Sequence, residues 1–552
     1  MPGARRVHSR DVAQAGSLNA LISKLIDTVR SGNMEQKEHA VMMLHSLTEQ
    51  PKGLDGIQDA DNTVLIARAG AIKPLVNLVI IGSPVAQGHA CGTLSVIAHG
   101  QREYQDAIIE SGGVVAITAC LRGGDAGVQE HAAAAIASVS ELKSQQKPIM
   151  KAGAVIPLVM LLRCARDDTH VHVGFALANL ADDNPDGQTA IARTGALPLL
   201  IGLLGSGKAQ ESVATAIAKL TQGHEVNQAE VTRLGGIPKL IALLSALNVE
   251  SQAQAAAALA ALASGDNRDE QDVIAKAGGI RPLLALVESR YSSAQRSSVN
   301  ALAMLANNNL ENQDAIAAMG GIMPLVLLTQ QGAASPDVQA QAVLALTEIS
   351  RHNHANQSAT ADAGAISSLV ALLRFSNQPL VEAEVAGAFW ALSEDHMPNK
   401  ESIAAAGAIP PLITSQLASL SERAHTNAGH ALASLAYGNE TNQAEIAALL
   451  VSLLEDGQQG SQERAVAALW RMVKENPGNE AAIAKASGAE PLVRLLRGKQ
   501  PSAKSYSLWA LSLSIDAENR TPSTSVCPRP LCMPCSAWCL LRRVWHCPRC
   551  SY

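Results

Sequence analysis

The pattern of hydrophobic and polar positions repeats about every 42 residues along almost the whole chain. Each copy has a Gly, an apolar run such as Ala-Ile-x-Pro-Leu-Val-x-Leu-Leu, a polar turn and a longer segment with apolar residues spaced three and four apart. The Gly of successive copies stands at Gly70, Gly112, Gly153, Gly195, Gly235, Gly278, Gly320, Gly364 and Gly407, and a tenth copy begins at Gly488. Repeats of this length indicate stacked units that bury their apolar faces against their neighbours.

Each copy predicts three helices. In the copy that begins at Asn356, a short helix runs through Ala363 and ends at Gly364, because Gly adopts the left-handed conformation after a helix at low cost. A second apolar helix follows over 365–373, and sister copies have Pro near its start, where no intrahelical hydrogen bond is lost. The third helix, about 380–393, has the apolar spacing of one buried face and one solvent-facing side.

Three local sequences resemble armadillo repeats: Gly-Ala-Ile-Pro-Pro-Leu at 407–412, Ala-Leu-Ala-Asn-Leu-Ala at 176–181, and the Asn-Gln openings at Asn227, Asn312, Asn356 and Asn442. The resemblance covers roughly residues 13–514, in about twelve units. It implies an all-α, right-handed superhelical solenoid whose third helices line a concave groove that receives extended peptides or partner proteins, without catalysis. Third helices are then expected at 36–48, 85–98, 128–140, 170–181, 210–221, 252–263, 294–306, 338–350, 380–393, 423–436, 462–473 and 502–514.

The organisation along the chain has three parts. Residues 1–31 are predicted to form an N-terminal cap and the start of the first repeat, since a terminal repeat has to cover one exposed face. The solenoid is predicted over 32–516, and a Cys-rich tail without the repeat over 517–552. One irregular unit at 437–461 has no Gly hinge, so two of its helices must fuse or one must be absent.

Composition narrows the class of partner. The chain has 47% hydrophobic and 2% aromatic residues and a formal net charge of −6, with no long Lys or Arg run, which argues against a nucleic-acid partner. No apolar stretch approaches the roughly 18 residues of a membrane span, although peripheral membrane association is left open. Only Cys91, Cys120 and Cys164 lie in the repeats, which is typical of a reducing compartment. These features predict a cytoplasmic protein, with the nucleus as the alternative.

Chemical motifs are sparse. Among fifteen histidines, the closest pairs are His170 with His172 and His352 with His354, and neither has the i, i+4 spacing that places two ligands on one helix face. The glycines at 205 and 207 lack the spacing of a phosphate-binding loop. We therefore expect that the chain is not an enzyme and that it binds no cofactor.

The tail could supply four thiolates to zinc, from Cys532, Cys535, Cys547 and Cys550. The eleven residues between the two Cys-x-x-Cys pairs are fewer than the usual 15–20, and the repeat pattern stops abruptly before them. A disordered or aberrant terminus is therefore favoured over a zinc site. A zinc-dependent regulator acting through the tail is the third functional alternative.

Armadillo import receptors resemble one another in carrying Trp and Asn four residues apart on successive third helices. Here only Asn179 occupies an Asn-equivalent position, and no Trp occupies a Trp-equivalent one; Trp390, Trp470 and Trp509 are predicted to pack against neighbouring helices. The chain is therefore more similar to scaffolds of the β-catenin or vacuolar-armadillo type. The second alternative is a cytoskeletal or flagellar assembly component that also uses its outer face.

Within the expected groove, most third-helix positions are Ala, Ser, Gly or Val. Five residues offer an aromatic face, an amide or a charge instead, and we predict that they bind the partner: Phe175, Asn179, Lys219, Asn300 and Glu348. Asn179 is expected to hold a peptide backbone through both amide atoms, with Phe175 one turn earlier as a stacking surface. Lys219 and Glu348 are expected to select charge along the ligand.

Overall fold

The computed structural model describes residues 4–49, 62–163, 166–205, 207–265, 267–330, 332–376, 378–416, 421–456, 459–475, 479–496 and 507. Every regular element in these ranges is a helix. The chain consists of two compact units, Met1–Leu305 and Ala306–Tyr552. The predicted segment boundaries near residues 31 and 516 stay predictions, and the whole tail, 517–552, lies outside the described residues.

The first unit contains the helices α1 to α20. Their bounds are α1 Ala4–Ser31, α2 Met34–Glu49, α3 Asn62–Arg68, α4 Ile72–Ile81, α5 Pro84–Ala98, α6 Arg102–Glu110, α7 Gly113–Leu121, α8 Ala126–Val139, α9 Lys143–Lys151, α10 Val155–Leu161, α11 Asp167–Ala181, α12 Pro185–Arg193, α13 Ala196–Leu203, α14 Gln210–Thr221, α15 Glu225–Arg233, α16 Gly236–Leu243, α17 Val249–Leu262, α18 Arg268–Lys276, α19 Ile280–Val287 and α20 Ser292–Ala306, which ends at the boundary between the units.

The second unit contains the helices α21 to α33. Their bounds are α21 Leu310–Ala318, α22 Ile322–Leu328, α23 Pro336–Ser350, α24 His354–Asp362, α25 Ala365–Phe375, α26 Pro379–Ser393, α27 Met397–Ala405, α28 Ile409–Pro411, α29 Glu422–Ala436, α30 Glu440–Asp456, α31 Gln459–Glu475, α32 Asn479–Lys485 and α33 Ala489–Leu496. A π-helical turn, Leu412–Gln416, follows α28 directly.

Each regular repeat contains the predicted two shorter helices followed by a longer third helix. Eleven of the twelve expected third helices coincide with α2, α5, α8, α11, α14, α17, α20, α23, α26, α29 and α31, with ends that agree within a few residues. The twelfth, expected at 502–514, lies almost entirely outside the described residues. In the first unit α2, α5, α8, α11, α14 and α17 pack on one another in succession, and in the second unit α23, α26, α29 and α31 do the same. The all-helical, repeat-like architecture is therefore confirmed.

The Gly hinge between the first and second helices is also present. The hinge glycines of the nine regular copies, from Gly70 to Gly407, have φ between 71° and 86°. This left-handed region is costly for residues with a Cβ atom, so Gly is favoured wherever the chain turns sharply here.

The tenth copy corrects one detail of the sequence interpretation. Its left-handed residue is Ser487, at φ 61°, and not Gly488. A Cβ added to Gly488 would lie 2.7 Å from Cγ2 of Ile483, as one added to Gly113 would lie 2.7 Å from Cγ2 of Ile108. Gly488 therefore corresponds to the second Gly of a Gly-Gly pair, and the hinge is one residue earlier.

The irregular unit has a single long helix. The 17-residue α30 continues through the region where other repeats have a Gly hinge, so the first and second helices are fused, one of the two predicted outcomes. It packs on α29, α31 and α32. Its buried residues include Ile446, Leu450 and Leu454, spaced four apart along one face.

The core is built from small and branched aliphatic side chains. Ala, Leu, Ile and Val account for most of the buried apolar residues, and Phe389 is the largest fully buried side chain in the described ranges. The many Ala residues bring neighbouring third helices close together. At the N-terminus, α1 buries Ile22, Ile26 and Val29 and packs on α2, α3 and α4.

Candidate functional site

The predicted binding residues of the first unit lie on three third helices. Phe175 and Asn179 are one turn apart on α11, Lys219 is on α14, and Asn300 is on α20. All four side chains are half-buried. We refer to these four residues as the third-helix face. α11 packs directly on α14, so the structure brings Phe175, Asn179 and Lys219 into one region.

Asn179 does not have the free amide that the sequence analysis expected. Its Nδ2 donates to the carbonyl of Ala137, at 2.9 Å, and to Oγ of Ser140, at 3.3 Å. Its main-chain carbonyl accepts from Nε2 of Gln146, at 2.8 Å. The amide donor of Asn179 therefore joins α11 to the end of α8, and only Oδ1 remains for a ligand. The expectation that both amide atoms hold a peptide is wrong for the donor.

Lys219 is also paired within the unit. Its Nζ lies 2.6 Å from Oδ1 of Asp182, and Lys143 approaches Oδ2 of the same carboxylate at 3.4 Å. Partial burial of Asp182 favours its protonated form, but the hydrogen bond and charge of Lys219, together with Lys143, outweigh it and lower the pKa of Asp182. The positive charge predicted to attract a ligand is thus largely neutralised by a neighbour.

Phe175 and Asn300 keep more of their predicted character. The side chain of Phe175 is half-buried, so part of its ring is accessible. No other half-buried residue on the described third helices of the first unit is a Phe. The amide of Asn300 makes no hydrogen bond with the described residues. These two side chains are the best remaining anchors for a partner.

Glu348 belongs to the second unit, on α23. It is 8% exposed, and its carboxylate receives two hydrogen bonds from Arg351, at 3.1 and 3.2 Å. Its predicted role as a charge that selects ligands is therefore contradicted by its burial and its pairing. Glu348 and Arg351 are three residues apart, so their ion pair lies within one helical turn.

Trp390 is a packing residue, as predicted. Its ring stacks on the imidazole of His430, with centroids 4.5 Å apart and planes 18° apart. The guanidinium carbon of Arg351 lies 5.3 Å from the Trp390 centroid. These contacts join α23, α26 and α29 and occupy the aromatic surface.

A ladder of Gln side chains was missed as an element of the architecture. In each of seven repeats a Gln on the first helix donates from Nε2 to a main-chain carbonyl at the end of the same repeat's third helix, at 2.8–2.9 Å. The members of this Gln ladder are Gln105, Gln146, Gln188, Gln228 and Gln271 in the first unit, and Gln313 and Gln357 in the second. The recurring Asn-Gln pair is the sequence signal for this ladder.

The neighbouring Asn has a complementary role. Nδ2 of Asn227, Asn356 and Asn442 donates to the carbonyl seven residues earlier, in the preceding third helix. The Asn therefore binds backward and the Gln forward. Carbonyls at helix ends lack intrahelical partners, so both bonds satisfy groups that would otherwise be buried without one.

The described residues do not contain three His, Cys, Asp or Glu side chains arranged to hold a metal ion. The four cysteines of the predicted zinc alternative, Cys532, Cys535, Cys547 and Cys550, lie outside the described residues. In the described part of the chain no one helix is both long and apolar enough to cross a membrane. Among the described helices, only Asn62–Arg68 and Ile72–Ile81 taken together are long and apolar enough, and the two are bent by 85° relative to each other.

No family model and no curated protein matches the sequence. Among solved structures, the chain is similar to an engineered protein with 30% sequence identity and a TM-score of 0.63, over 76% of this chain and 100% of that chain. A second engineered protein is 32% identical over 42% of this chain and 96% of its own, but its TM-score of 0.40 is too low to compare the folds. The chain belongs to the same family of all-helical, repeat-like folds as the first engineered protein.

Proposed function

We propose that the chain is a non-enzymatic scaffold of the armadillo type, which binds partner proteins or extended peptides on its third-helix face. A right-handed superhelix and a concave groove are parts of the same proposal, as is a cytoplasmic or nuclear location. The observation that supports it most is the row of third helices packed in succession in the first unit, with Phe175 half-buried among small side chains. Repeated units with a shared face are typical of proteins that bind extended partners.

The structure changes which side chains we expect to contribute binding energy. An aromatic ring in a setting of small residues is a common energetic centre of a protein interface. Phe175 supplies such a ring, and Asn300 supplies an amide for a backbone. Asn179 and Lys219 are held by Ala137 and Asp182, so we expect them to shape the surface and to contribute less to affinity.

Affinity capture with the full chain, followed by mass spectrometry, tests the proposal. Phe175→Ala should leave the fold intact and weaken capture at least several-fold, since the loss of an interface anchor costs about 1–2 kcal/mol or more. Asn179→Ala is a control of a different kind, because it should lower stability through the lost bond to Ala137. A folded Phe175→Ala, Asn300→Ala double variant that captures every partner at the wild-type level would contradict the proposed face.

A second candidate function has one supporting observation. The second helices α7 and α10 expose Val115 at 66% and Ile156 at 62%, in the same register, and α10 also exposes Met160 at 61%. Exposed apolar side chains in a row often mark a protein contact. This favours the alternative of a cytoskeletal or flagellar assembly component that uses its outer face.

Substitutions on the second helices and substitutions on the third helices distinguish the two functions. Val115→Ser with Ile156→Ser should leave partner capture unchanged if the third-helix face is the binding site. Loss of all partners in that variant, with full capture by the Phe175→Ala, Asn300→Ala variant, would support the assembly component.

A further inference from the structure

Three imidazole rings meet between consecutive third helices of the first unit. They belong to His45 of α2, His89 of α5 and His131 of α8, and we call them the histidine cluster. The ring centroids of His45 lie 5.3 Å from those of His89 and 5.2 Å from those of His131, and the His89 and His131 centroids are 6.5 Å apart. Any charge on one ring therefore acts directly on the other two.

The cluster contains a hydrogen bond in which one ring must accept through an unprotonated nitrogen. Nδ1 of His45 and Nδ1 of His89 are 3.1 Å apart, so one nitrogen donates a proton and the other accepts it. If the accepting ring gains a second proton, both nitrogens at this contact carry hydrogen. The bond between α2 and α5 is then lost, and a charged ring is left beside its neighbours.

Small residues on α5 bring the rings together. A Cβ atom added to Gly92 would lie 2.5 Å from Nε2 of His45, and one added to Gly88 would lie 3.7 Å from Cδ2 of His131. His45 itself is only 7% exposed. A new charge on this ring would be poorly solvated.

The charged groups around the cluster compensate only in part. Glu49 lies 3.7 Å from Nε2 of His45, and Glu130 is paired with Arg166 at 2.8 Å. Burial lowers the pKa of His45 and of His131, and the nearby Glu49 and Glu130 oppose that effect without reversing it. The remaining charged and titratable groups that act on this region are Asp168 and His172 of α11, where burial also lowers the pKa of His172.

We propose that the histidine cluster is a proton-sensitive contact, whose protonation loosens helix packing among α2, α5 and α8 below about pH 6.5. Because burial disfavours the charged forms of His45 and His131, the contribution of these two rings to stability is fully present above the ordinary imidazole pKa of about 6.5. It is lost as the pH falls through the lower values of the folded state. The proposal concerns helix packing alone, so it holds or fails independently of partner binding on the third-helix face.

Hydrogen exchange of the full chain at pH 7.5 and pH 5.5 tests this, after correction for the intrinsic pH dependence of exchange. We expect amides of α2, α5 and α8 to exchange about tenfold faster at the lower pH, because the protonated cluster holds these helices together less firmly. Helices α14 and α17 serve as an internal reference. His89→Gln with His131→Gln, which cannot gain protons, should reduce the acceleration to about twofold.

His39→Gln, which removes an exposed imidazole from α2, is the matched control and should behave as the wild type does. Equal protection of α2, α5 and α8 at both pH values, or the same acceleration in the cluster variant, would overturn the proposal. If the cluster variant does not fold at pH 7.5, imidazole titration of the wild type by NMR decides. Midpoints clearly below about 6.5 for His45 and His131 support the proposal, and midpoints at or above that value overturn it.

Discussion

Two repeats of the second unit differ in how their first helix joins the second. In one, α24 ends at Asp362 and the hinge residue Gly364 directly precedes α25, while in the other α30 runs without interruption over 17 residues. Gln357 of α24 is fully buried and donates to the carbonyls of Ala391, at 2.8 Å, and Glu394, at 3.0 Å. Gln443 of α30 donates to Ala436, seven residues earlier, at 2.9 Å.

The comparison shows what the hinge contributes. A sharp turn places the first helix where its Gln reaches the end of its own third helix, so the two ends of one repeat share a buried hydrogen bond over 34 residues of sequence. The described bond of Gln443 instead reaches back to the preceding third helix. The hinged repeat is therefore expected to be held together internally more strongly than the fused one.

The largest expected effect comes from removing the forward bond of the hinged repeat. Gln357→Ala should lower the free energy of unfolding of the second unit by about 2–3 kcal/mol, because two buried carbonyls lose their donor. Denaturant titration measures the change, and Asp362→Ala, on the exposed side of α24, is the control with an expected effect within about 0.5 kcal/mol. Equal stability of the two variants would show that the Gln ladder does not stabilise the repeat.

The hinge itself gives a graded test. Gly364 has φ 86°, so Gly364→Ala should cost about 1–2 kcal/mol of unfolding free energy. Gly364→Asn should cost less, because Asn tolerates the left-handed region better. Elsewhere in the chain Asn308 and Asp395 adopt positive φ at other turns. Thermal unfolding that ranks Ala above Asn in stability would contradict the hinge argument.

The fused repeat should open more readily than regular repeats. Amides of α30 are expected to exchange about tenfold faster than those of α16 and α17, a difference of about 1.4 kcal/mol in local opening free energy. Native-state hydrogen exchange on the full chain measures both regions in one experiment. Uniform protection would mean that the fused helix makes up locally for the missing hinge.

The smallest expected effect is a gain in stability. In α27 the Gln ladder position is occupied by Lys400, which is 2% exposed, donates to the carbonyl of Tyr437 at 2.7 Å and lies 5.0 Å above its ring. Burial lowers the pKa of Lys400, with Asp395 acting in the opposite direction. Lys400→Gln should keep the bond without the buried charge and raise stability at pH 7 by about 1 kcal/mol.

The sign of the pH dependence follows from the lowered pKa of Lys400. A depressed lysine contributes stability above its unfolded pKa and loses it as the pH falls, so the advantage of Lys400→Gln should be greater at pH 7 than at pH 10. Denaturant midpoints at the two pH values give the comparison. A larger advantage at pH 10 would show that the charge of Lys400 is stabilising where it lies.

Helix order, hinges and third-helix bounds could be predicted because each depends on consecutive residues within one repeat. The hydrogen-bond and ion-pair partners of Asn179 and Lys219 could not be predicted, since they lie in other repeats. Asn179 bonds Ala137, 42 positions earlier, and no pattern near Asn179 indicates it. The Glu348–Arg351 pair was readable, because residues three apart on a helix are neighbours. The histidine cluster was also missed, although His89 and His131 are separated by one repeat length.

Each Gln of the ladder donates to a residue further along the chain, so the Gln is synthesised before its acceptor. Gln228 needs the carbonyl of Ala261, which a ribosome adds 33 residues later. Because domains begin to fold during synthesis from the N-terminal side, the newest repeat on a growing chain always lacks the acceptor for its buried amide. Each repeat is therefore completed only when its own third helix has been made, and folding of the repeat follows synthesis of its Gln by 33 residues.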